Sequence, residues 1–332
     1  MHLADELPTS PLGPRSPCAD VDVDPDGGGA EPEQRRFTVA LSAHGQRLDR
    51  LLAAAAPEFS RSHLQGLVEA GHIRVDGLTC THNARKLRGG QSVDLILMPT
   101  AESLAYRPQA MALSILHEDA HVLVIDKPAG LVVHPAAGHW SNTLLNGLLA
   151  YHADAARLPR AGIVHRLDKD TSGVMVVGKS LEAVTGLVRD IAAREVQRQY
   201  LAIAWGAVEP PTQRIDAPIG RDPAQRTRMA VVAGGRPAQT DIERLALRDG
   251  FSALRCKLHT GRTHQIRLHL AHRGHPLVAD SLYGGRSALG LHRQALHATR
   301  LAFDHPVTAE PICIECAPPP DFAVAWAAVT AR

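Results

Sequence analysis

The sequence predicts an α+β protein in two parts: a small α+β domain, then a larger domain built on a mainly antiparallel mixed sheet. In the second part, apolar runs typical of strands recur from Ser114 onward, and helical patterns intervene at about 142–153 and 181–194. Strands and helices therefore do not alternate as regular βαβ units, which argues against a doubly wound parallel sheet. In the first part, two short helical patterns precede small strands.

Composition sets the domain boundaries. The 332 residues suffice for about two domains. Residues 1–36 are rich in Pro, Gly and acidic side chains and lack apolar periodicity, so we predict a disordered acidic tail. We place the small domain at 37–99, a linker at 100–113 and the large domain at 114–332. The tail has three Arg against eight Asp and Glu, or −5, and since the whole chain is +2 the remainder carries +7.

The same composition narrows the class of protein. No apolar run approaches the roughly 18 residues of a membrane-spanning helix, and no signal-peptide pattern is present at the start. Five scattered cysteines cannot all pair, so we expect a reduced, cytoplasmic setting. The basic remainder is compatible with nucleic acid, although solvated surfaces of ordinary proteins also reach such a charge.

Basic side chains are distributed along the small domain. Its pattern predicts a helix over Arg47–Ala56, a second helix that Ser60 caps and Gly71 ends, and a strand leading into an Asp76–Gly77 turn. These cations either form a solvated basic face or bind an RNA backbone. The second interpretation is possible because phosphate contacts supply most of the nonspecific affinity for nucleic acid. The candidates for such contacts are Arg61, Arg74 and Lys86.

An unusually charged loop lies within Gly162–Lys179, which reads G-I-V-H-R-L-D-K-D-T-S-G-V-M-V-V-G-K. Buried strands are predicted at its two sides, from the apolar runs Ile163–Val164 and Val174–Val177. A carboxylate among Arg and Lys side chains stays ionised, which suits a nucleophile or electrostatic stabiliser better than a general acid. The alternative is a salt-bridged polar turn. The ionisable residues between the two runs are His165, Arg166, Asp168, Lys169 and Asp170.

A second dense stretch, Thr260–His275, reads T-G-R-T-H-Q-I-R-L-H-L-A-H-R-G-H. We interpret its middle part as a strand, whose alternation puts Arg262 and Arg267 on opposite faces. Both faces of a core strand cannot be open to solvent. One of the two guanidinium groups is therefore a candidate for pairing with a carboxylate or a phosphate.

Tyr200 is one of only four tyrosines and begins the apolar strand pattern of R-E-V-Q-R-Q-Y-L-A-I-A-W-G (194–206). Such a tyrosine is usually a core residue whose hydroxyl finds a partner at the edge. It could instead stack on a base. The residues alone leave both interpretations open.

Two patterns resemble metal sites, but each lacks a feature that such a site needs. Cys313-x-x-Cys316 lacks the second pair of a structural zinc site, and it lies in an apparent strand where residues three apart point to opposite faces. Three histidines spaced three apart could line one helix face, but no acidic partner of a hydrolase motif accompanies them. These histidines are His269, His272 and His275.

Several motifs together resemble one family. H-R-L-D-K-D-T-S-G (165–173) resembles the signature of the RluA-type pseudouridine synthases. R-Q-Y-L-A (198–202) and T-G-R-T-H-Q-I-R-L-H-L (260–270) are similar to the family's middle and later motifs, in the family's order. The small domain resembles the RNA-binding domain named after ribosomal protein S4. Further matches are D-K-P-A-G-L-V-V-H-P (126–135), H-P-L-V-A-D-S-L-Y-G-G (275–285) and R-Q-A-L-H-A (293–298).

The resemblance implies the fold and chemistry of a pseudouridine synthase. It implies that Asp168 is the catalytic carboxylate, attacking C1′ or assisting formation of a glycal, and that Arg267 pairs with it. Tyr200 would stack on the uracil of a flipped nucleotide and could take the C5 proton. Arg166 would fill the gap left by the flipped base. Neither a metal nor an organic cofactor is implied.

Other residues receive lesser roles. We expect His165 and Asp170 to shape the loop by hydrogen bonding, and Lys127 or Lys169 to touch phosphate. Arg226 and Arg228 are further candidates for contact with RNA. The implied partner is ribosomal RNA of the large subunit, free or in an assembling subunit, without a membrane, and we expect a monomer.

Other functions compete with this expectation. The same chemistry could act on transfer RNA or at another ribosomal site. A noncatalytic RNA-binding factor of ribosome assembly would have no reason to retain Asp168, Tyr200 and Arg267 together. A zinc-dependent hydrolase would have to use the histidines and the cysteine pair.

Overall fold

The computed structural model describes residues 33–98, 105–136, 138–225 and 227–331. The chain divides into two units, Met1–Pro99 and Thr100–Arg332. Both units combine helices with sheets, and the large sheet is mainly antiparallel. The predicted fold class is therefore confirmed.

The first unit packs two helices on a four-stranded antiparallel sheet of order β1-β4-β2-β3. Apolar side chains at helical spacing, such as Leu48 and Leu52, are fully buried against the sheet. Ser60 caps the second helix by accepting a hydrogen bond from the His63 amide at 3.3 Å. The elements are β1 Glu33–Thr38, α1 Leu48–Ala55, α2 Arg61–Glu69, β2 Ile73–Val75, β3 Leu78–Thr79 and β4 Ser92–Leu97.

The first strand corrects one boundary of the predicted acidic tail. Residues 33–36 belong to β1, where they pair with β4 and where Arg36 forms an ion pair with Asp94. This edge strand has few apolar side chains, so its sequence lacks the pattern that indicates a strand. Backbone hydrogen bonds to β4 order it nevertheless. The remainder of the tail, 1–32, lies outside the described residues.

The second unit is built on a nine-stranded sheet of order β5-β6-β7-β14-β8-β13-β12-β9, with β15 pairing to β14. A separate two-stranded sheet joins β10 and β11. The strands are β5 Ser114–Glu118, β6 Val122–Lys127, β7 Ser172–Gly178, β8 Gln197–Trp205, β9 Thr212–Asp216, β10 Ile219–Arg221, β11 Met229–Val231, β12 Gln239–Arg248, β13 Phe251–Leu258, β14 Leu296–Asp304 and β15 Pro311–Glu315.

The pairing of β14 with β7 is parallel, and the other strand pairs of the described residues are antiparallel. The two expected helical regions correspond to the helices Leu144–Tyr151 and Leu181–Ala193. Within the described ranges, no helix has both the length and the apolarity needed to cross a bilayer. The helices are α3 Leu144–Tyr151, α4 Leu181–Ala193, α5 Gln265–His272 and α6 Pro320–Thr330.

The strand predicted around Arg262–Arg267 is wrong, because α5 begins at Gln265. Residues 265–270 are all buried, so every face of this first part of the helix is covered. Apolar residues at 266, 268 and 270 then mimic the alternation of a strand. The Gln265 side chain stabilises the start by accepting hydrogen bonds from Thr260 Oγ1 at 2.8 Å and from the Arg262 amide at 3.0 Å.

The described part of the predicted linker, 105–113, is attached to α3. The side-chain amide of Asn146 donates hydrogen bonds to the carbonyl oxygens of Ala105 at 3.2 Å and Arg107 at 2.8 Å. The Gln109 amide donates to the Asn146 carbonyl at 3.0 Å. These contacts fix a segment whose sequence predicts only a loose connection.

Candidate active site

The charged loop precedes β7, one of the central strands of the sheet. On its other side the structure has only a single bridge, between Ile163 and Val177, in place of the predicted first strand. Gly173 has a φ of +113°, and a Cβ there would lie 2.2 Å from the Ala298 carbonyl oxygen on β14. Only glycine allows this approach of the two strands. The loop therefore departs from a fixed point in the core.

Lys127 lies beneath the loop and is fully buried, so the expected phosphate contact of this residue is wrong. Its Nζ donates hydrogen bonds to the carbonyl oxygens of Pro128 at 2.7 Å, Leu131 at 3.0 Å and Lys169 at 2.9 Å. Burial lowers the pKa of Lys127 to about 8, although the charges of Asp170 and Asp168 oppose this shift. The ammonium group thus stabilises the loop from inside the protein.

Other hydrogen bonds fix the loop backbone near Asp168. The Thr171 amide donates to the Asp168 carbonyl at 3.1 Å, and Arg293 Nη1 donates to the Asp170 carbonyl at 2.9 Å. The Val176 amide donates to His165 Nε2 at 3.1 Å. The His165 ring therefore contacts the backbone of β7 in this structure.

Asp168 and Arg267 come together although they are 99 residues apart in the sequence. Arg267 Nη1 donates a hydrogen bond to Asp168 Oδ2 at 3.0 Å, and the two side chains are 7% and 14% exposed, respectively. Burial opposes the charge of Arg267, yet its hydrogen bond to Asp280 and the negative charge of Asp168 raise its pKa. The pair is thus a cation that stabilises an ionised carboxylate.

Asp280 is a site residue that sequence reasoning assigned no role. Its carboxylate accepts two hydrogen bonds from Arg267, from Nε at 2.7 Å and from Nη2 at 2.8 Å, and its side chain is 1% exposed. This bidentate pairing fixes the plane of the guanidinium group. The only sequence signal was the position of Asp280 inside the motif 275–285.

Tyr283 and His264 also contact this centre without having been predicted to do so. The Tyr283 hydroxyl and His264 Nδ1 are hydrogen-bonded at 2.7 Å, and the Arg267 guanidinium lies 5.1 Å from the centre of the Tyr283 ring. His264 Nε2 is 3.8 Å from Asp168 Oδ1, which is too long for a hydrogen bond. Burial lowers the pKa of His264, whereas the Asp168 charge opposes that shift. The ring is therefore neutral at pH 7.

Asp168, Tyr200 and Arg267 all line a cavity of about 810 Å³, and His264 lines it as well. Tyr200 is on β8, as the strand pattern predicts, and is almost fully buried. Burial raises the pKa of its hydroxyl, so it remains a phenol at neutral pH. The volume is in the range of sites for small molecules, and this one joins an aromatic ring to an ionised carboxylate.

Comparison with known proteins agrees with this geometry. A family model described as RNA pseudouridylate synthase matches residues 121–272, which contain Asp168, Tyr200 and Arg267. A model of the S4 domain matches residues 46–93. Curated relatives are 44% to 48% identical to the chain over most of its length. The chain belongs to the RNA pseudouridylate synthase family.

Three relatives carry the name ribosomal large subunit pseudouridine synthase D. The protein of Xanthomonas campestris is 48% identical, with 86% of this chain and 90% of the relative covered. That of Neisseria meningitidis serogroup B is 45% identical, with 91% and 84% covered. That of Nitrosomonas europaea is 44% identical, with 92% of each covered. As a member of this family, the chain is an isomerase whose substrate is RNA.

Two solved structures share the fold of this synthase. Human RNA pseudouridylate synthase domain containing 1 is 26% identical, with a TM-score of 0.51 and coverage of 69% of this chain and 89% of the human one. Human RNA pseudouridylate synthase domain containing 4 is 24% identical, with the same TM-score and coverage of 64% and 91%. The first likeness agrees with the family assignment, and the second concerns the fold alone.

The remaining predicted RNA contacts of the synthase differ in their surroundings. Arg166 and Lys169 are exposed on the charged loop, and Arg166 lines the cavity. Arg228 is half-buried, hydrogen-bonds to the Leu282 carbonyl and lies over the Tyr283 ring. Arg226 lies outside the described residues. The three predicted RNA contacts of the first unit, Arg61, Arg74 and Lys86, are all exposed.

The histidine and cysteine patterns have ordinary structural surroundings in the synthase. His269 is fully buried on α5, where it hydrogen-bonds to Thr240 Oγ1 at 2.9 Å and to the Ala217 carbonyl at 3.0 Å. Cys313 is exposed on β15, whereas Cys316 is buried. Both nitrogens of the His269 ring are thus engaged by protein groups.

Proposed function

We propose that this synthase converts specific uridines of large-subunit ribosomal RNA into pseudouridine, with Asp168 as the catalytic carboxylate. The observation that carries the assignment of Asp168 is its hydrogen bond to buried Arg267 at the wall of a cavity that Tyr200 also lines. The names of the relatives support ribosomal RNA of the large subunit as the substrate.

The reaction rearranges bonds within one nucleotide. The N1–C1′ bond breaks, the uracil turns, and a C5–C1′ bond forms; the C5 proton is lost and N1 takes up a proton. Asp168 either attacks C1′ or removes a C2′ proton to give a glycal. Both routes need Asp168 as an ionised carboxylate, and the positive charge of Arg267 stabilises that ionised form. The uridine must first leave its stack to reach Asp168.

Tyr200 provides the surface on which the uracil stacks. Burial raises the pKa of the Tyr200 hydroxyl, which therefore remains protonated at neutral pH. A neutral phenol ring is sufficient for stacking. Removal of the C5 proton by Tyr200 would require its own proton to leave first. Arg166, exposed at the cavity, is placed to enter the gap left by the flipped base.

The first unit binds the RNA backbone through its exposed cations. Its match to the S4 domain supports this role. Each phosphate contact that Arg61, Arg74 or Lys86 makes adds to the salt dependence of binding. The proposal includes a cytoplasmic location and a monomeric enzyme, whose substrate is free RNA or an assembling large subunit.

The test uses unmodified large-subunit ribosomal RNA labelled with tritium at uridine C5. Formation of the C5–C1′ bond displaces that hydrogen, so turnover releases tritium into water. We expect release by the native protein and at least about a 10³-fold slower release by Asp168→Asn, which keeps the shape but removes the charge. Glu243→Gln, an exposed change on β12, is the control and should retain full activity.

Other outcomes would revise the proposal. If native protein releases tritium only from transfer RNA, the chemistry stands and the substrate is wrong. If Asp168→Asn is as active as the native protein, Asp168 is not the catalytic carboxylate. Binding without release from ribosomal RNA, transfer RNA or pre-ribosomal particles would overturn the assignment of this activity.

A further inference from the structure

Arg198 is a buried arginine whose Nε has no hydrogen-bond acceptor among the described residues. The residue is only 6% exposed. The ion pairs formed by the described carboxylates do not include it, in contrast to buried Arg267. An unpaired buried cation is costly to a folded protein. A ligand that completes its hydrogen bonds would account for its retention in a pocket.

The position of Arg198 directs the guanidinium toward the cavity. Arg198 and Tyr200 are two residues apart on β8, so their side chains share one face of the sheet, and both line the cavity with Asp168. Gly261 leaves room for the guanidinium group, since a Cβ at that position would lie 2.8 Å from Arg198 Nη1. The arginine therefore lies next to the ring on which the base is proposed to stack.

His165 provides a second unpartnered donor at the same cavity. Its Nε2 accepts a hydrogen bond from the Val176 amide, so the proton of the neutral ring is on Nδ1. That Nδ1 is buried without a partner. Burial, and then the charge of Arg198, lower the pKa of His165 to about 3, so the ring is neutral. Two donors of the cavity thus lack an acceptor among the described residues.

We propose, building on the function above, that Arg198 donates hydrogen bonds to a carbonyl oxygen of the target uracil and stabilises the negative charge that this ring acquires during the reaction. When the N1–C1′ bond breaks, its electron pair stays on the uracil and is delocalised over N1, O2 and O4. The charge disappears when C5 bonds to C1′, the C5 proton leaves and N1 is protonated. A fixed cation at a developing anion is an effective form of catalysis.

A backbone phosphate is the competing acceptor, and the burial of Arg198 disfavours it. A phosphate stays linked to the neighbouring nucleotides, and it would be met more readily by the exposed cations Arg166 and Lys169. A flipped base, by contrast, enters the enclosed part of the pocket beside Tyr200. His165 Nδ1 can donate to the same uracil or to its second carbonyl.

The first test measures stability and kinetics of Arg198→Met. We expect a melting temperature equal to or above that of the native protein, because an unpaired cation is removed. We expect kcat to fall by about 10² to 10³-fold, with KM changed by less than about threefold. Arg198→Lys should recover part of kcat, and Arg255→Met, an exposed change on β13, should leave it unchanged. A purely structural arginine would instead lower the melting temperature when replaced.

The second test identifies the acceptor. Once the target is mapped, RNA hairpins carry 4-thiouridine, 2-thiouridine or a neutral methylphosphonate linkage at that uridine. A sulfur is a poorer hydrogen-bond acceptor than oxygen, so one thio substitution should slow the native enzyme more than Arg198→Met. The intrinsic effect of sulfur on the reaction is the same for the native enzyme and for Arg198→Met. The thio position at which the slowing differs more between these two proteins therefore identifies the carbonyl that Arg198 contacts.

Two outcomes would overturn the inference. Native kcat in Arg198→Met would exclude a role in catalysis. A loss in Arg198→Met that only the methylphosphonate linkage abolishes would assign the guanidinium to a phosphate. Both differ from failure of the proposed function, in which the native protein itself releases no tritium; the inference about a uracil carbonyl would then fall with it.

Discussion

The Asp280 carboxylate accepts hydrogen bonds from Nε and Nη2 of Arg267, which leaves Nη1 for Asp168. One arginine thereby joins two carboxylates with different roles. Asp280 is nearly inaccessible and fixes the guanidinium group, whereas Asp168 lies at the cavity. The orientation of the proposed catalytic carboxylate thus depends on Asp280, which does not line the cavity.

Asp280→Asn tests this dependence. Breaking a buried ion pair should lower the free energy of unfolding by about 3 kcal/mol, and misplacement of Asp168 should lower kcat by about 10 to 100-fold. Denaturant unfolding and tritium release measure the two effects. Glu243→Gln, which breaks the exposed pair with Arg255, should cost less than about 1 kcal/mol and leave kcat unchanged. Equal effects of the two variants would contradict the prediction.

Lys127→Met should destabilise the loop without weakening the electrostatic part of RNA binding. Three carbonyl oxygens lose their donor, so we expect unfolding to become easier by about 2–3 kcal/mol. On an Asp168→Asn background, the slope of log affinity against log salt should stay the same. Lys169→Met, which removes an exposed cation, should reduce that slope by about 0.7–0.9. A smaller salt slope in Lys127→Met than in the native sequence would show that Lys127 contacts an RNA phosphate after all.

Acid should destabilise the protein partly through His165. Its pKa is about 3 in the folded protein, against 6.5 for an ordinary histidine, so between these values the unfolded chain binds the additional proton. Stability present above pH 6.5 is therefore lost as pH falls, by about 1.4 kcal/mol per pH unit from this residue. His165→Gln should have a correspondingly shallower dependence of unfolding free energy on pH between about 6 and 4. His272→Gln, an exposed change on α5, should keep the native slope.

Gly173→Ala should prevent β7 and β14 from pairing as they do. The added Cβ would lie 2.2 Å from the Ala298 carbonyl, and backbone cannot yield as a flexible side chain can. We expect a loss of about 3 kcal/mol or more, measured by denaturant unfolding. Gly234→Ala has no atom within 4 Å of the new Cβ and should stay within about 0.5 kcal/mol of the native protein. A stable, active Gly173→Ala would contradict this account of the loop.

The sequence was informative where a function is concentrated in a short motif. Asp168, Tyr200 and Arg267 each lie in a recognisable segment, and the structure brings all three to one cavity. Asp280 escaped prediction because an acidic residue in a motif does not reveal which cation it meets. Lys127 was misassigned for a related reason: a lysine in the sequence carries no sign that its ammonium group is buried.

The prediction of secondary structure was limited in a similar way. The mixed antiparallel sheet was predictable from strand patterns and the lack of βαβ repeats. The helix α5 was not, since a helix covered on all sides shows no polar face. Edge strand β1 was missed in part because it gains order from backbone pairing with β4. In each case the deciding contact lies far away in the sequence.

Strand β14 lies between β7, which follows the loop of Asp168, and β8, which carries Tyr200. Strand β14 begins 96 residues after Tyr200, so a growing chain contains Asp168 and Tyr200 before the strand that lies between β7 and β8 has been synthesised. Until then the facing edges of β7 and β8 are open to wrong partners. Assembly of the pocket is thus a late event in biosynthesis, and premature termination before Leu296 would yield aggregation-prone fragments without enzyme activity.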